Sequence, residues 1–337
     1  MSENILTVKD LKTYFYTASG VAKAVDGVSF NIAKGETMGI VGESGSGKSV
    51  TSSSIIRLLP PRTGKIVGGS IEFEGKDVLA LSKKELNDFR GKDIAVVFQD
   101  PMTSLDPVFK IGKQMTEMIM AHQNVTKDEA WKMAVEALSK VGIPEPEKRM
   151  NSYPYELSGG MCQRVIIAMA VCCKPKLIIA DEPTTALDVT VQAQVLELLK
   201  DLQRNMDTAI LLITHNLGVV WEMCDKVMVM YAGNTVEFTD TKTLYSNPRH
   251  PYTWGLLDSM PKLSDESKGE LKTIPGIPPD LRLTGKCCNF YNRCPYVTEA
   301  CTQSVPPLVE VEPGHFVACH RQNLTNKLEK GEGLKDE

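Results

Sequence analysis

Three stretches of this chain carry residue types and spacings suited to handling phosphate. The first is Gly42-Glu-Ser44-Gly45-Ser-Gly47-Lys48-Ser49, an apolar run's exit followed by a glycine-rich loop. Its glycines let the backbone curl so that successive N–H groups point at phosphate oxygens, and the helix that follows adds the positive end of its dipole. Gly42, Ser44, Gly45, Gly47, Lys48, Ser49 and Val50 are the residues expected around the phosphates. Lys48 is placed to bridge the terminal ones and Ser49 to ligate Mg2+. The second stretch, Leu177-Ile-Ile-Ala-Asp181-Glu182, is apolar and ends in two carboxylates. Asp181 there suits a Mg2+ held largely through water, and Glu182 suits orienting and polarising an attacking water. The third is Ser158-Gly159-Gly160, at the start of a predicted helix and an anion site by the same dipole physics. Each has a plain structural alternative: a glycine turn, a surface carboxylate pair, a serine N-cap. The three together argue for nucleotide chemistry. A second phosphate cradle makes sense if it completes another subunit's site.

The elements that must position these groups alternate between strand and helix. Residues 5–8, 28–32, 37–41, 71–73, 94–98, 177–180, 210–213 and 227–231 read as strands. Helices are predicted from Val50 to Leu59, where Pro60-Pro61 stops the first, and from about Thr190 to Arg204. Strand–helix–strand order of this kind favours a parallel sheet with helices on its faces. Ser82 with Glu85, and Thr126 with Glu129, form capping boxes. After the second box, Trp131, Ala134, Val135, Leu138 and Val141 fall on one helix face. Residues 100–170 thus read as a helical insertion. From about Pro248 the chain is proline-rich and expected to be short of regular structure.

Composition excludes several classes. The chain has 337 residues, 42% hydrophobic and 24% charged, ordinary for a globular protein. No run of about 18 apolar residues offers a membrane span. The first residues lack a basic stretch followed by an apolar one, so no secretory signal is expected. A net charge of −4 gives no reason to expect a nucleic-acid partner. Nine cysteines, an odd number without an export signal, argue against a disulfide framework. Four of the five that crowd the end, Cys288, Cys294, Cys301 and Cys319, are separated by five, six and seventeen residues. That spacing matches neither common ferredoxin pattern. Four thiols in a short irregular segment can nevertheless close a metal-bound lobe, and His315 and His320 keep zinc in play. Cys287, beside Cys288, leaves one ligand ambiguous, and Cys162 reads as a small packing residue.

Taken as a set, the phosphate loop, the Leu-Ser-Gly-Gly segment and the Asp181-Glu182 strand resemble those of ABC-type ATPases, which work as paired motor domains. That resemblance implies an α/β fold: a P-loop ABC ATPase with a RecA-like core, an antiparallel β subdomain and a helical subdomain, plus an irregular Cys-rich C-terminal extension. It places the nucleotide-binding domain at 1–260, the helical subdomain at about 100–170, the extension at 261–325 and a tail at 326–337. It also implies roles. Gln99 is the loop glutamine that senses Mg2+ and contacts the membrane partner, and His215 is the switch histidine on the γ-phosphate. Ala186-Leu187-Asp188 is the loop that crosses between subunits. Asn216 stands where Asp is often found. Phe15 or Tyr16 stacks on adenine, with ordinary core packing as the alternative.

Residues 97–107 (Val-Phe-Gln-Asp-Pro-Met-Thr-Ser-Leu-Asp-Pro), His250-Pro-Tyr-Thr and the cysteine-rich end look like the ATP-binding subunits of oligopeptide and dipeptide importers, a subfamily shared with nickel importers. The family implies ATP and Mg2+ as cofactors, with a 4Fe-4S cluster on Cys288, Cys294, Cys301 and Cys319. The expected partners are a second ABC ATPase subunit, expected to be a paralogue, two membrane permeases and, through them, an extracytoplasmic solute-binding protein. The expected place is the cytoplasmic face of the cell membrane, as a peripheral subunit. Other readings are a soluble ABC ATPase of translation or repair, a redox-sensing protein whose iron–sulfur cluster is its function, and the ATPase of a nickel importer. The first commonly carries two cassettes or long coiled-coil insertions, neither visible here.

Overall fold

The computed structural model describes residues 3–185, 187–260 and 273–323. The chain divides into two compact units. One comprises Met1–Ile5, Ile32–Glu36 and Ala80–Leu212; the other comprises Leu6–Asn31, Thr37–Leu79 and Ile213–Glu337.

In the first unit, strands Ile94–Val97 and Leu177–Asp181 pair in parallel, Ile94 level with Leu177 and Val97 level with Ala180. Leu177–Asp181 is buried throughout, which accounts for its unbroken apolar run. Helices fill the intervening chain: Pro101–Ser104, Ile111–His122, Lys127–Lys140, Pro146–Arg149 and Gly159–Cys172. The Thr126–Glu129 capping box forms, each side chain meeting the other's backbone N–H. The buried stripe of Lys127–Lys140 is Ala130, Ala134, Ala137 and Leu138, whereas the expected Trp131 and Val135 are only half-buried. The stripe is turned because small alanines allow close helix packing on one side, while Trp131 lies over Gly112, 2.7 Å from where a Cβ there would sit. Cys162 is fully buried, as a packing residue should be. The helix Val189–Met206 buries Val195, Leu196, Leu199 and Leu202.

In the second unit, the hairpin Asn4–Thr17 and Gly20–Ala33 runs much longer than the short strands expected there. Exposed Lys9 and Asp10 and a register shift between Lys9 and Lys12 interrupt the apolar pattern without ending the strand. Gly64–Phe73 pairs antiparallel with Asn4–Thr17. The helix after the phosphate loop is Lys48–Ile55, ending well before the prolines. Arg57, with φ of 53°, turns the chain out of it. A second set of strands lies side by side in the order Val309–Glu312, His315–Val317, Asn234–Asp240, Lys226–Tyr231 and Thr37–Val41. The last two are parallel and the others antiparallel.

The proline-rich end therefore contains regular structure: Glu299–Gln303 is helical, and a two-stranded hairpin joins the sheet at Glu237 and Phe238. Glu237 fastens it. This fully buried carboxylate accepts hydrogen bonds from the backbone N–H of Arg249 (2.7 Å) and His250 (3.0 Å) and lies 2.8 Å from His315 Nε2. The proposed tail 326–337 lies outside the described residues. Among the described residues, no helix is long and apolar enough to cross a membrane.

Candidate active site

Parallel register builds the phosphate loop. Ile40 pairs with Met228 and Val41 with Val229, so Gly42 comes level with Met230. A Cβ on Gly42 would stand 2.2 Å from the Met230 carbonyl oxygen, and one on Gly47 would stand 2.3 Å from that of Ala24. Their φ values, 153° and 103°, also favour glycine. A Cβ on Gly45 would meet nothing within 4 Å, so the loop's backbone is open to a ligand there. Gly47 precedes the helix Lys48–Ile55, whose N-terminus adds its dipole. Ser44, Gly45 and Ser49 are exposed, and Val50 is half-buried. Lys48 is buried, and its Nζ donates to the carbonyls of Gly42 (2.8 Å) and Glu43 (3.0 Å). Ser46 Oγ is buried without a hydrogen-bond partner. An orphaned hydroxyl in an open glycine-rich cradle fits a bound phosphate.

Register also builds the carboxylate cluster of the first unit. Two residues beyond the Val97–Ala180 pair, the same alignment sets Gln99 level with Glu182. There Gln99 Nε2 donates to Glu182 Oε2 at 2.8 Å, and Thr185 Oγ1 donates to the same oxygen at 3.0 Å. Asp181 is buried at the strand's end. Glu182 has φ of 48°, a left-handed conformation that costs a non-glycine residue about 1–2 kcal/mol. Strain of this sort concentrates where a side chain must be aimed.

The other expected residues take up identifiable structural duties. Ser158 is the N-cap of Gly159–Cys172, its hydroxyl accepting from the Met161 N–H at 3.3 Å. Gly160 lies against Val191; a Cβ there would be 2.6 Å from Val191 Cγ1. Asp188 caps Val189–Met206 through the Val191 N–H at 3.0 Å. Ala186 lies outside the described residues. His215 is exposed just after the strand Ala209–Thr214, and Asn216 caps the next helix. Phe15 packs over Gly64, whereas Tyr16 is 43% exposed with Lys65 Nζ 5.3 Å from its ring centroid.

Cys288, Cys294, Cys301 and Cys319 line one cavity of about 10 Å³, together with Phe290 and His320. Cys287 is not among its lining residues, which separates the two adjacent thiols. His315 does not line it either, because its Nε2 faces Glu237. Burial pushes the Cys288 thiol up to about 12 and the Cys294 thiol up to about 11. The donor set suits iron or zinc, but the volume admits about one water. Among the described residues, no group of three or more Cys, His, Asp or Glu is arranged to hold a metal ion.

Residues 25–185 match the ABC transporter family, and residues 236–301 match the oligopeptide/dipeptide transporter C-terminal region. The oligopeptide transport ATP-binding protein OppD of Bacillus subtilis (strain 168) is 54% identical over 93% of this chain and 87% of its own. OppD of Escherichia coli (strain K12) is 50% identical over 95% and 94%. The chain belongs to the ATP-binding subunits of oligopeptide and dipeptide ABC transporters. The dipeptide transport ATP-binding protein DppD of B. subtilis, 49% identical over 95% of this chain and 96% of its own, agrees. Among solved structures, the dimeric ATP-binding cassette MJ0796 bound to ADP and Pi covers 70% of this chain and 98% of its own, with TM-score 0.63 and 27% identity. CbiO1 of Clostridium perfringens covers 73% and 92%, with TM-score 0.61 and 29% identity. The fold is therefore the α/β ABC cassette, and this family member is an ATPase coupled to transport.

Sequence reasoning passed over Glu43, Ser46 and Arg293. The variable positions of a phosphate loop carry no pattern, and a lone arginine in an irregular segment signals nothing. Tyr252 was within reach, because it lies in the His250-Pro-Tyr-Thr stretch. Its hydroxyl accepts from the Glu43 N–H at 2.8 Å.

Proposed function

We propose that this chain is the ATP-hydrolysing motor of a peptide importer, paired with a second ABC ATPase, a paralogue, under two permeases served by an extracytoplasmic solute-binding protein. The full-length likeness to oligopeptide and dipeptide transport proteins supports peptide as the cargo. The subunit sits peripherally at the cytoplasmic membrane face. The domain boundaries are 1–260, 261–325 and 326–337.

The single observation that carries the nucleotide reading is the open glycine cradle with its buried lysine and orphaned Ser46 hydroxyl. Backbone N–H groups of the Gly42–Val50 loop other than those of Glu43 and Ser46, which are bonded within the protein, hold the phosphates with the Lys48 ammonium, and Tyr16, more exposed than Phe15, stacks on adenine. Mg2+ supplies charge neutralisation of the phosphates, with Ser49 and Asp181 as its holders and Gln99 as its sensor. Glu182 takes the proton of the attacking water, and His215 contacts the γ-phosphate. Ser158, Gly159, Gly160 and Asp188 serve the partner subunit's nucleotide.

Ser158→Arg tests the shared site. The cation fills the cradle meant for the partner's γ-phosphate, while this chain's own loop is untouched. ATP binding to the isolated subunit is expected to stay within about twofold, and hydrolysis in the assembled transporter is expected to fall at least ~10²-fold. Because Ser158 also caps its helix, loss of the cap alone costs about 1 kcal/mol. Ser158→Ala is the control for that loss. Normal transport by an assembled Ser158→Arg complex would overturn the shared site.

The four cavity thiols are proposed ligands of a 4Fe-4S cluster, with zinc as the alternative. Their convergence supports this; the present volume does not, and widening is required. Protein purified without oxygen is expected to be brown, absorb near ~400 nm and carry about four irons per chain. One zinc per chain would make it a zinc lobe, and metal-free protein would overturn both.

A further inference from the structure

Arg293 lies in the turn Tyr291–Arg293, one residue before Cys294, and its side chain is 4% exposed. Its guanidinium reaches a residue 250 positions away, inside the phosphate loop. Nη1 donates to Glu43 Oε2 at 2.6 Å and Nη2 to Glu43 Oε1 at 2.9 Å. The rest of the fork is also fixed. Nε donates to the Pro275 carbonyl (2.9 Å), Nη2 to that of Ile274 (3.2 Å) and Nη1 to Tyr231 Oη (3.2 Å). A planar guanidinium held this way is a rigid anchor for a carboxylate. The backbone N–H of Glu43 is held as well, by Tyr252 Oη. Residue 43 is thus gripped at both its amide and its carboxylate by groups from the C-terminal half of the chain.

Glu43 places an acidic group in a loop that must accept a polyanion. Left unpaired, that carboxylate would repel the phosphates in a partly desolvated setting where charge is weakly screened. We propose that Arg293 is a positioning residue of the nucleotide site: it neutralises the Glu43 carboxylate inside the phosphate loop, which makes ATP affinity depend on the C-terminal segment. This rests on the reading of Gly42–Val50 as the ATP site. It extends that reading by giving the segment after residue 273 a part in nucleotide binding. The same stretch supplies Cys288, Phe290 and Cys294 to the thiol-lined cavity, and Arg293 immediately precedes Cys294 in the chain.

The test is calorimetric titration of the full-length protein with Mg-ATP and Mg-ADP. Arg293→Gln is expected to weaken ATP about tenfold and ADP less, because repulsion grows with phosphate charge. Adding Glu43→Gln to that variant is expected to restore ATP binding to within about threefold of wild type. Glu43→Gln alone, at a residue with a partly exposed side chain, is expected to bind ATP at least as tightly as wild type. A purely structural anchor predicts the opposite pattern, with both single variants weak and the double variant no better. That pattern, or unchanged affinity in Arg293→Gln, would overturn the proposal. Should Arg293→Gln fail to fold, Glu43→Gln alone decides: weaker ATP binding refutes it. Lys48→Ala run alongside separates the two claims. If Lys48→Ala binds ATP normally, the loop assignment fails and the role of Arg293 falls with it. If only the Arg293 result fails, the loop assignment stands.

Discussion

Glu182→Gln is expected to retain ATP binding and lose hydrolysis by about 10²–10⁴-fold, the usual worth of a general base. The substitution is nearly isosteric, and its amide oxygen can still accept from Gln99 Nε2 and Thr185 Oγ1, which both meet Oε2 in the native chain. The left-handed backbone at residue 182 is equally open to Gln, so the local geometry should survive. What disappears is the ability to take a proton from water. With ATP bound and not cleaved, the paired ATPases should accumulate in the closed state. Light scattering on the chain mixed with its partner ATPase and Mg-ATP should then show the mass of the pair, and phosphate release should be near background. Wild-type turnover in this variant would move the base elsewhere. If the paralogous partner holds the more active site, the loss is smaller but still present.

Lys48→Ala should abolish ATPase activity and weaken nucleotide binding by at least about 10²-fold. The ammonium is buried and already bonded to the carbonyls of Gly42 and Glu43, so it serves the loop's shape as well as the phosphates' charge. Removing it leaves the Gly42 carbonyl short of a donor, a desolvation cost of about 1–3 kcal/mol, whereas the Glu43 carbonyl keeps the Ser46 N–H at 3.2 Å. Lys48→Arg separates the two effects, since it keeps the charge but not the compact ammonium that fits between those carbonyls. Titration with Mg-ATP together with a phosphate-release assay reads both. Normal binding by Lys48→Ala would refute the loop assignment.

Much of this was legible before folding. The Gly42–Ser49 loop, the strand into Asp181-Glu182, the Thr126 and Ser82 capping boxes and the Ser158 helix start appear where short-range chemistry put them. Each depends on residues within a few positions of one another, whose backbone preferences and local hydrogen bonds are written in their types. Family membership followed from the same short motifs. Strand lengths were less legible. Exposed Lys9 and Asp10 break the apolar alternation of a strand that continues past them, and the prolines around Val309–Val317 hide a hairpin.

By itself, the sequence determined that the chain carries a glycine-rich loop after an apolar strand and a carboxylate pair, and that it belongs with peptide-transporter ATPases. Tertiary structure alone decided which distant groups meet. The parallel register of Ile94–Val97 with Leu177–Asp181 put Gln99 on Glu182. Folding of the cysteine-rich segment chose Cys288 over Cys287 for the cavity and turned His315 toward Glu237. It also brought Arg293 to Glu43 across 250 positions. None of these contacts has a local signature, because each depends on strand alignment and side-chain packing that no short window of residues encodes.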